Sequence, residues 1–306
     1  MPSDLNKNPE KTNPVKSKKE KSRKIAPGLY ITSTPIGNLG DMTFRARDVL
    51  MQADVIACED TRVTGKLLAY FDIKTPTVAY HDHNEQKILP HLIERLQGGE
   101  IVALVSDAGT PLISDPGYRL VKEARQAEIF VSSIPGASAI LAALASAGLP
   151  TDRFMFAGFL PNKTQARRKV LAELASLRAT LVFYESPRRL KDSLVDLRDV
   201  LGQRDAAVCR ELTKLFEEVR KGPLPELADH YQTADRPKGE IVIVIAPPGE
   251  VLVTDAQLDD ALHQALKTLS VKEAVASVTR TTGLKRKKIY ARALALTGKT
   301  PEKGEA

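Results

Sequence analysis

The sequence predicts an α/β protein, two α/β domains followed by a helical segment, and three observations carry that reading. Short apolar runs rich in Val, Ile, Leu and Ala alternate with amphipathic stretches of helical period from Leu29 to Pro247. Gly- and Pro-containing turns bound these runs, as expected where a buried strand hands over to a helix. Trp is absent and aromatics make up only 5% of the 306 residues, which suits sheets layered with helices better than a β-sandwich. The length suits two domains with separate cores.

Residues 1–26 lack periodicity, are rich in Lys, Asn, Pro and Ser, and are expected to form a disordered basic tail. The first domain is placed at 27–148. It opens with a strand over 29–34, a Gly/Pro loop PIGNLGD over 35–41 and a helix over 44–51. A strand over 54–60 precedes a helix through Leu67 and Leu68; a short strand over 77–85 has a polar end and leads to a helix over 86–96. The run from Ile101 is too short for a comfortable helix and reads as a buried parallel strand. A helix from about Tyr118, a strand over 129–136 and a small-residue helix over 137–147 complete this half. Strands alternating with helices predict a parallel sheet covered on both faces.

Gly148-Leu149-Pro150 is expected to hinge into the second domain, placed at 149–250. Its elements are a strand over 154–161, a basic helix over 163–177, a strand over 180–186, a helix over 187–201, and strands over 206–212 and 240–246. Residues 251–306 are expected to be helical, with Thr254/Gln257 and Ser270/Glu273 as capping boxes. Helices over 271–281 and 285–295, separated by Thr282-Gly283-Leu284, read as a helix-turn-helix with KRKK opening the second helix.

Charge is unevenly spread. The net charge of +7 hides a body over 27–266 with 27 basic and 32 acidic residues, flanked by basic stretches at 1–26 and 267–299. A polyanionic partner would be held mainly by the two ends. No apolar run approaches a membrane span of about 18 residues, so a cytoplasmic protein is expected. Cys58 and Cys209 each sit in an apolar strand run and are expected to be reduced, packed thiols without a metal.

Ligand chemistry is expected after the strand at Ile101. The loop Ser106 to Gly117 contains two Gly, two Pro and two Asp but no Lys or Arg, so it would repel a phosphate and suit a neutral or cationic ligand. An ordinary tight connection is the alternative. Four polar clusters fall at other strand ends. Glu59-Asp60-Thr61-Arg62 reads either as carboxylates that position or deprotonate a hydroxyl, or as a helix N-cap. His81-Asp82-His83-Asn84-Glu85 lacks a third ligand group for a metal and reads as an acid/base or RNA-contacting edge. Tyr184-Glu185-Ser186-Pro187-Arg188-Arg189 and Arg210-Glu211-Leu212-Thr213-Lys214 read either as substrate contacts or as internal ion pairs. The loop at Thr34 to Gly40 lacks the Lys-Ser/Thr of a P-loop, and no Ser sits in a GxSxG elbow, which disfavours nucleotide hydrolysis and α/β-hydrolase chemistry.

LYITSTPIGNLGDMTFRA, ACEDTR, YHDHNE, VSDAGTPLISDPG, IPGASA, GFLP, FYESPRR, CRELTK and GEIVIVI stand in this order. At these residues the sequence resembles the tetrapyrrole methylase superfamily and, within it, the ribosomal RNA small subunit methyltransferase I family. The similarity runs from about Gly28 to Pro247, and the C-terminal segment resembles that family's helix-turn-helix piece. The resemblance implies two α/β domains of the tetrapyrrole methylase type with a cofactor cleft between them, and a homodimer. It also implies an S-adenosylmethionine-dependent methyltransferase acting on the 2'-oxygen of a cytidine in the decoding region of 16S rRNA.

Cofactor contacts carried over are Asp107, Ala108 and Gly109; Pro135, Gly136 and Ser138; and Phe159 and Leu160, with Tyr184, Glu211, Leu212 and Gly239 in support. The mechanism expected is in-line methyl transfer accelerated mainly by alignment. Glu59, Asp60, His81 and Glu185 are base candidates. Arg62, Arg188, Arg210 and Lys214 are candidate ribose or phosphate clamps, and Lys285, Arg286, Lys287 and Lys288 candidate RNA contacts. The alternative for the last helices is a solvated face packed on the second domain through Val275, Val278 and Ile289. Competing functions are a precorrin-type methyltransferase and a non-catalytic RNA-binding module.

Overall fold

The computed structural model describes residues 24–249, 255–282, 284 and 286–297. The expected basic tail up to residue 23, Thr254 of one expected capping box, Gly283 of the helix-turn-helix and Lys285 lie outside the described residues. Among the described residues the chain divides into two compact units, one running to Ala142 together with Glu211–Glu217, the other Ala143–Arg210 together with the residues from Glu218 onward.

The first unit runs β1 (Gly28–Thr32), α1 (Phe44–Gln52), β2 (Val55–Cys58), α2 (Thr61–Tyr70), β3 (Thr77–Ala79), α3 (Glu85–Gln97), β4 (Ile101–Val105), α4 (Tyr118–Gln126) and β5 (Val131–Ile134). The division from the second unit falls inside α5 (Ala139–Ala147), ahead of the expected hinge at Gly148. The sheet order is β3-β2-β4-β1-β5 with every pairing parallel. Alternate residues of its strands serve two cores. Leu29, Val55, Val102 and Leu104 pack with Leu89, Leu92 and Leu96 of α3 and Leu120 of α4. Tyr30, Ile56, Ala103 and Val105 pack with Ala46, Val49 and Leu50 of α1 and Leu68 of α2. Burial on both faces explains why β4 reads as one unbroken apolar run. Since the strands are parallel, their carboxyl ends and the polar loops that follow share one edge of the sheet.

The second unit runs β6 (Phe154–Phe159), α6 (Thr164–Leu174), β7 (Thr180–Glu185), α7 (Leu190–Leu201), β8 (Asp205–Arg210), β9 (Glu218–Pro223), α8 (Leu224–Thr233) and β10 (Ile241–Ile245). The sheet is mixed, β6-β7-β10-β8-β9, with only β6 and β7 parallel. The fully buried IVIVI of β10 lies between β7 and β8. β9 and α8 stand where the sequence predicts no element. β9, EVRKGP, carries three charges and a Gly, and is a strand because β8 pairs with it at the sheet edge. α8 does carry a signal: Leu224, Leu227, Ala228 and Tyr231, spaced for one helical face, are all buried.

Three helices follow, α9 (Asp255–Leu266), α10 (Val271–Thr282) and α11 (Arg286–Thr297). Leu258 and Leu262 of α9 pack with Val275, Val278, Ile289 and Ala293 in a core of their own, so the apolar face expected to lie on the second domain is spent within this bundle. The Ser270/Glu273 capping box forms: Ser270 N–H donates to Glu273 Oε2 at 3.0 Å, and Glu273 N–H donates to Ser270 Oγ at 3.4 Å. Ser270→Ala should therefore cost the bundle about 1 kcal/mol, read as an earlier loss of helical circular dichroism on heating; no shift would deny the cap its role. No helix among the described residues is long and apolar enough to cross a membrane.

Candidate active site

The loops after β1, β4 and β5 are tied together at the carboxyl edge of the first sheet. Thr34 N–H donates to Gly109 O at 2.9 Å, and Gly109 N–H returns a bond to Thr34 O at 3.1 Å. Thr110 Oγ1 lies 3.0 Å from Ser33 Oγ and donates to Ala137 O at 3.3 Å. Two glycines permit this closeness. Gly109 has φ +78°, and a Cβ there would lie 3.3 Å from Ile36 Cγ2; a Cβ on Gly136 would lie 2.8 Å from Ser33 Cβ. Leu112 and Ser114 also have positive φ, at 74° and 67°, so the Ser106–Gly117 loop is a strained, shaped wall.

Beside this junction lies a pocket of about 540 Å³. Ile36, Asp41 and Thr43 form one wall, Pro135 to Ser138 with Leu141 and Ala142 another, and Thr213 closes it. The sequence predicts Pro135, Gly136 and Ser138 as site residues. Thr43 it does not single out; Asp41 ends the TPIGNLGD loop, which by the family resemblance stands where a substrate-bordering loop is expected, and Thr213 lies in the Arg210–Lys214 cluster. Thr213 arrives on the Glu211–Glu217 segment that groups with the first unit. Glu211 and Thr213 adopt positive φ, 51° and 66°. Two interactions pin them: Thr213 N–H donates to Glu217 Oε2 at 2.6 Å, and Lys214 Nζ pairs with Glu211 Oε1 at 2.7 Å. The Lys214 stem lies against Gly37 (φ +151°), where a Cβ would come within 2.4 Å of Lys214 Cγ.

Carboxylates gather at the same sheet edge. Burial raises the Glu59 carboxyl above its ordinary range, and the charges of Asp107, Asp115, Asp82 and Asp60 raise it further. Burial also raises Asp107 and Asp115. Asp107 Oδ1 accepts the Asp60 N–H at 3.1 Å, joining the strand ends. This edge therefore has a field that favours a cation. Asp60 behaves oppositely. It caps α2 by accepting the Arg62 N–H at 2.8 Å and pairs with the Arg62 guanidinium at 2.6 Å, and these bonds hold its carboxyl well below the usual range. Of the two readings of Asp60, the cap is the one formed, which removes it from the bases. His81 follows β3, its Nδ1 buried without a hydrogen-bond partner and its ring 5.9 Å from that of His83.

In the second unit the structure corrects the reading of Glu185 as a base. It is 3% exposed, accepts the Ser186 N–H at 2.7 Å and the Ser193 hydroxyl, and pairs with Arg189 at 3.1 Å. Its oxygens are spent on locking the turn between β7 and α7. Arg189 also donates to Leu160 O and Asn162 Oδ1, whereas Arg188 is exposed. Leu160 is buried in the core, so only its backbone can face a ligand, while Phe159 is 56% exposed and stands edge-on to Tyr184, ring centres 5.5 Å apart. Leu212 is buried and Gly239 has φ +92°. The candidate clamps Arg210 and Lys214 are ion-paired, Arg210 with Glu218 at 3.1 Å and Lys214 with Glu211, which makes them internal pairs rather than open cations. Ala108 contributes its carbonyl to the Ser106 hydroxyl at 3.3 Å. On α11, Arg286, Lys287 and Lys288 are exposed.

Residues 28–228 match the model of the Tetrapyrrole (Corrin/Porphyrin) Methylases, and residues 253–297 that of the RsmI C-terminal HTH domain. Among solved structures, a diphthine synthase aligns with TM-score 0.57 at 18% identity, covering 71% of this chain and 89% of its own. A cobalt precorrin-4 methyltransferase of cobalamin biosynthesis aligns with TM-score 0.54 at 18% identity, covering 71% and 94%. These two share the fold. Much nearer relatives carry the name ribosomal RNA small subunit methyltransferase I. The one from Mesorhizobium japonicum is 50% identical over 276 residues, 90% of this chain and 94% of the relative. The one from Vibrio cholerae is 50% identical over 270 residues, 87% and 93%. With half of the residues shared along nine-tenths of the chain, the protein is a methyltransferase and belongs to the tetrapyrrole methylase family, within its ribosomal RNA small subunit methyltransferase I group.

Proposed function

We propose that this methyltransferase moves a methyl group from S-adenosylmethionine to the ribose 2'-oxygen of a cytidine in the decoding region of 16S rRNA. The observation that carries the proposal is the 50% identity over about nine-tenths of the chain with the rRNA methyltransferase relatives, together with the match of residues 253–297 to the RsmI C-terminal HTH domain. The residues present suit the cofactor. Glu59, Asp107 and Asp115 supply a negative field for a sulfonium, and neither the Ser106–Gly117 loop nor the pocket lining contains a Lys or Arg to call for a phosphate. When bound, the cofactor supplies an electrophilic methyl group. Asp107, Ala108, Gly109, Pro135, Gly136, Ser138, Phe159, Leu160, Tyr184, Leu212 and Gly239 are proposed to hold it.

Alignment of oxygen, carbon and sulfur accounts for most of the acceleration in such a transfer. Arg62 and Arg188 are proposed to steer the RNA backbone. The proposal includes a homodimer of the 33.4 kDa chain, read by light scattering, and a cytoplasmic location with the small subunit as substrate. The test is incubation of unmodified small subunits with labelled cofactor, followed by alkaline hydrolysis and mass mapping. A ribose methyl protects one phosphodiester bond; methylation of a base, or of a tetrapyrrole in place of RNA, would overturn the assignment.

Exposed cations on α11 supply a further expectation. Replacing Arg286, Lys287 and Lys288 together by Ala should lower affinity for small subunits and flatten the slope of log affinity against log salt by about 2, with cofactor binding unchanged. An unaltered slope would remove α11 from the RNA interface.

A further inference from the structure

We propose that Asp41 accepts the proton of the ribose hydroxyl while Thr213 holds the same ribose, an assignment that rests on the reading of ribose methylation above. Among the residues lining the 540 Å³ pocket, Asp41 is the one ionisable side chain. It shares that pocket with Pro135, Gly136 and Ser138, so a hydroxyl that must reach a methyl group held there lies within the same walls. Its carboxylate makes no hydrogen bond or ion pair among the described residues, while its backbone is fixed. Asp41 N–H donates to Asn38 O at 3.0 Å, Asn38 Oδ1 accepts the Gly40 N–H at 2.9 Å, and Thr43 caps α1 by accepting the Ala46 N–H at 3.1 Å. A rigid frame carrying an uncommitted carboxylate is what a general base requires.

Thr213 is the second observation. Its Oγ1 is buried without a hydrogen-bond partner, and its positive φ is maintained by the Glu217 carboxylate on its own N–H. A strained residue whose hydroxyl has no partner in the protein is a side chain able to bond a polar ligand group. The other candidate bases do not compete: Asp60 and Glu185 are committed to structural bonds, and Glu59 and His81 lie outside this lining. No cation lines the pocket, which fits a neutral ribose rather than a phosphate.

The ribose oxygen takes the methyl carbon, and the electron pair of the broken carbon–sulfur bond stays on sulfur as a neutral thioether. The hydroxyl proton, made acidic as the oxygen–carbon bond forms, passes to Asp41 and from there to solvent when product leaves.

The experiment compares wild type, Asp41→Asn and Thr213→Val. It measures single-turnover transfer against pH, S-adenosylhomocysteine binding by calorimetry, and affinity for reconstituted small subunits carrying either ribose or 2'-deoxyribose at the target cytidine. Asp41→Asn should slow transfer about 100-fold or more and remove the acid limb of the pH–rate profile at unchanged S-adenosylhomocysteine affinity. Wild type should prefer the ribose subunits several-fold, a preference that shrinks in Thr213→Val and disappears in Asp41→Asn. A rate within about tenfold of wild type with the preference intact would overturn the proposal, as would a tenfold loss of S-adenosylhomocysteine affinity, which would place Asp41 in the cofactor seat. Absence of ribose methylation by wild type would instead overturn the functional reading, and the role of Asp41 with it.

Discussion

Asp196→Ala is expected to lower the unfolding free energy by about 3–5 kcal/mol. Asp196 on α7 and Arg167 on α6 are each 3% exposed at the side chain. Arg167 Nε donates to Asp196 Oδ2 at 2.6 Å, and Arg168 Nε donates to Oδ1 at 2.5 Å. Arg167 also donates to the carbonyls of Pro161 and Asn162 at 3.4 and 3.3 Å, so this one carboxylate holds α6, α7 and the loop after β6 in register. Removing it leaves a guanidinium buried without a counter-charge, which is far worse than removing the pair. The urea midpoint should fall sharply in Asp196→Ala, whereas Arg167→Met combined with Asp196→Leu should recover most of the loss. A single-variant cost below about 1 kcal/mol, typical of a surface pair, would show that Arg167 finds other solvation.

Glu59→Gln is expected to weaken S-adenosylmethionine binding about tenfold, about 1.4 kcal/mol, and to leave S-adenosylhomocysteine binding unchanged. The first ligand is a sulfonium cation and the second a neutral thioether, so only the first gains from the field of Glu59, Asp107 and Asp115. The same substitution should raise the melting temperature at neutral pH. Burial raises these three carboxyls above their ordinary values, so the folded chain holds their protons more tightly than the unfolded chain does. Their ionisation therefore opposes folding at neutral pH. That penalty is relieved as pH falls through the raised values, and the advantage of Glu59→Gln should vanish near pH ~4, where the unfolded carboxyls also protonate. Asp60 has the opposite sign: its lowered value stabilises the fold above the ordinary carboxylate range and is lost as pH falls. Melting curves from pH 4 to 8 with calorimetry on both ligands decide the matter; equal losses for the two ligands would deny a cation-specific seat.

Much of the fold is legible in the residue order alone. The runs at β1, β2, β4, β7 and β10 announce themselves because strands buried on both faces must be apolar at nearly every position. The Ser270/Glu273 box and the helix cap at Asp60 are readable because capping joins near neighbours in the chain. β9 is not readable, since EVRKGP becomes a strand only by pairing with β8. Glu185 reads wrongly as a base for a related reason: sequence spacing puts a carboxylate next to an arginine but does not say that Ser193 and the Ser186 amide will exhaust it.

By itself the sequence determined the α/β class, the order of most elements, the family and the absence of Lys and Arg from the Ser106–Gly117 loop. These depend on periodicity, composition and ordered motifs, all local along the chain. Tertiary structure alone decided which polar groups remain available. Asp41, Gly136 and Thr213 share one pocket although long stretches of chain separate them, while Asp60, Glu185, Arg210 and Lys214 are drawn into internal bonds. The physical reason is that a carboxylate's chemistry is set by its through-space partners and its burial, and neither is fixed until the strands have closed into a sheet.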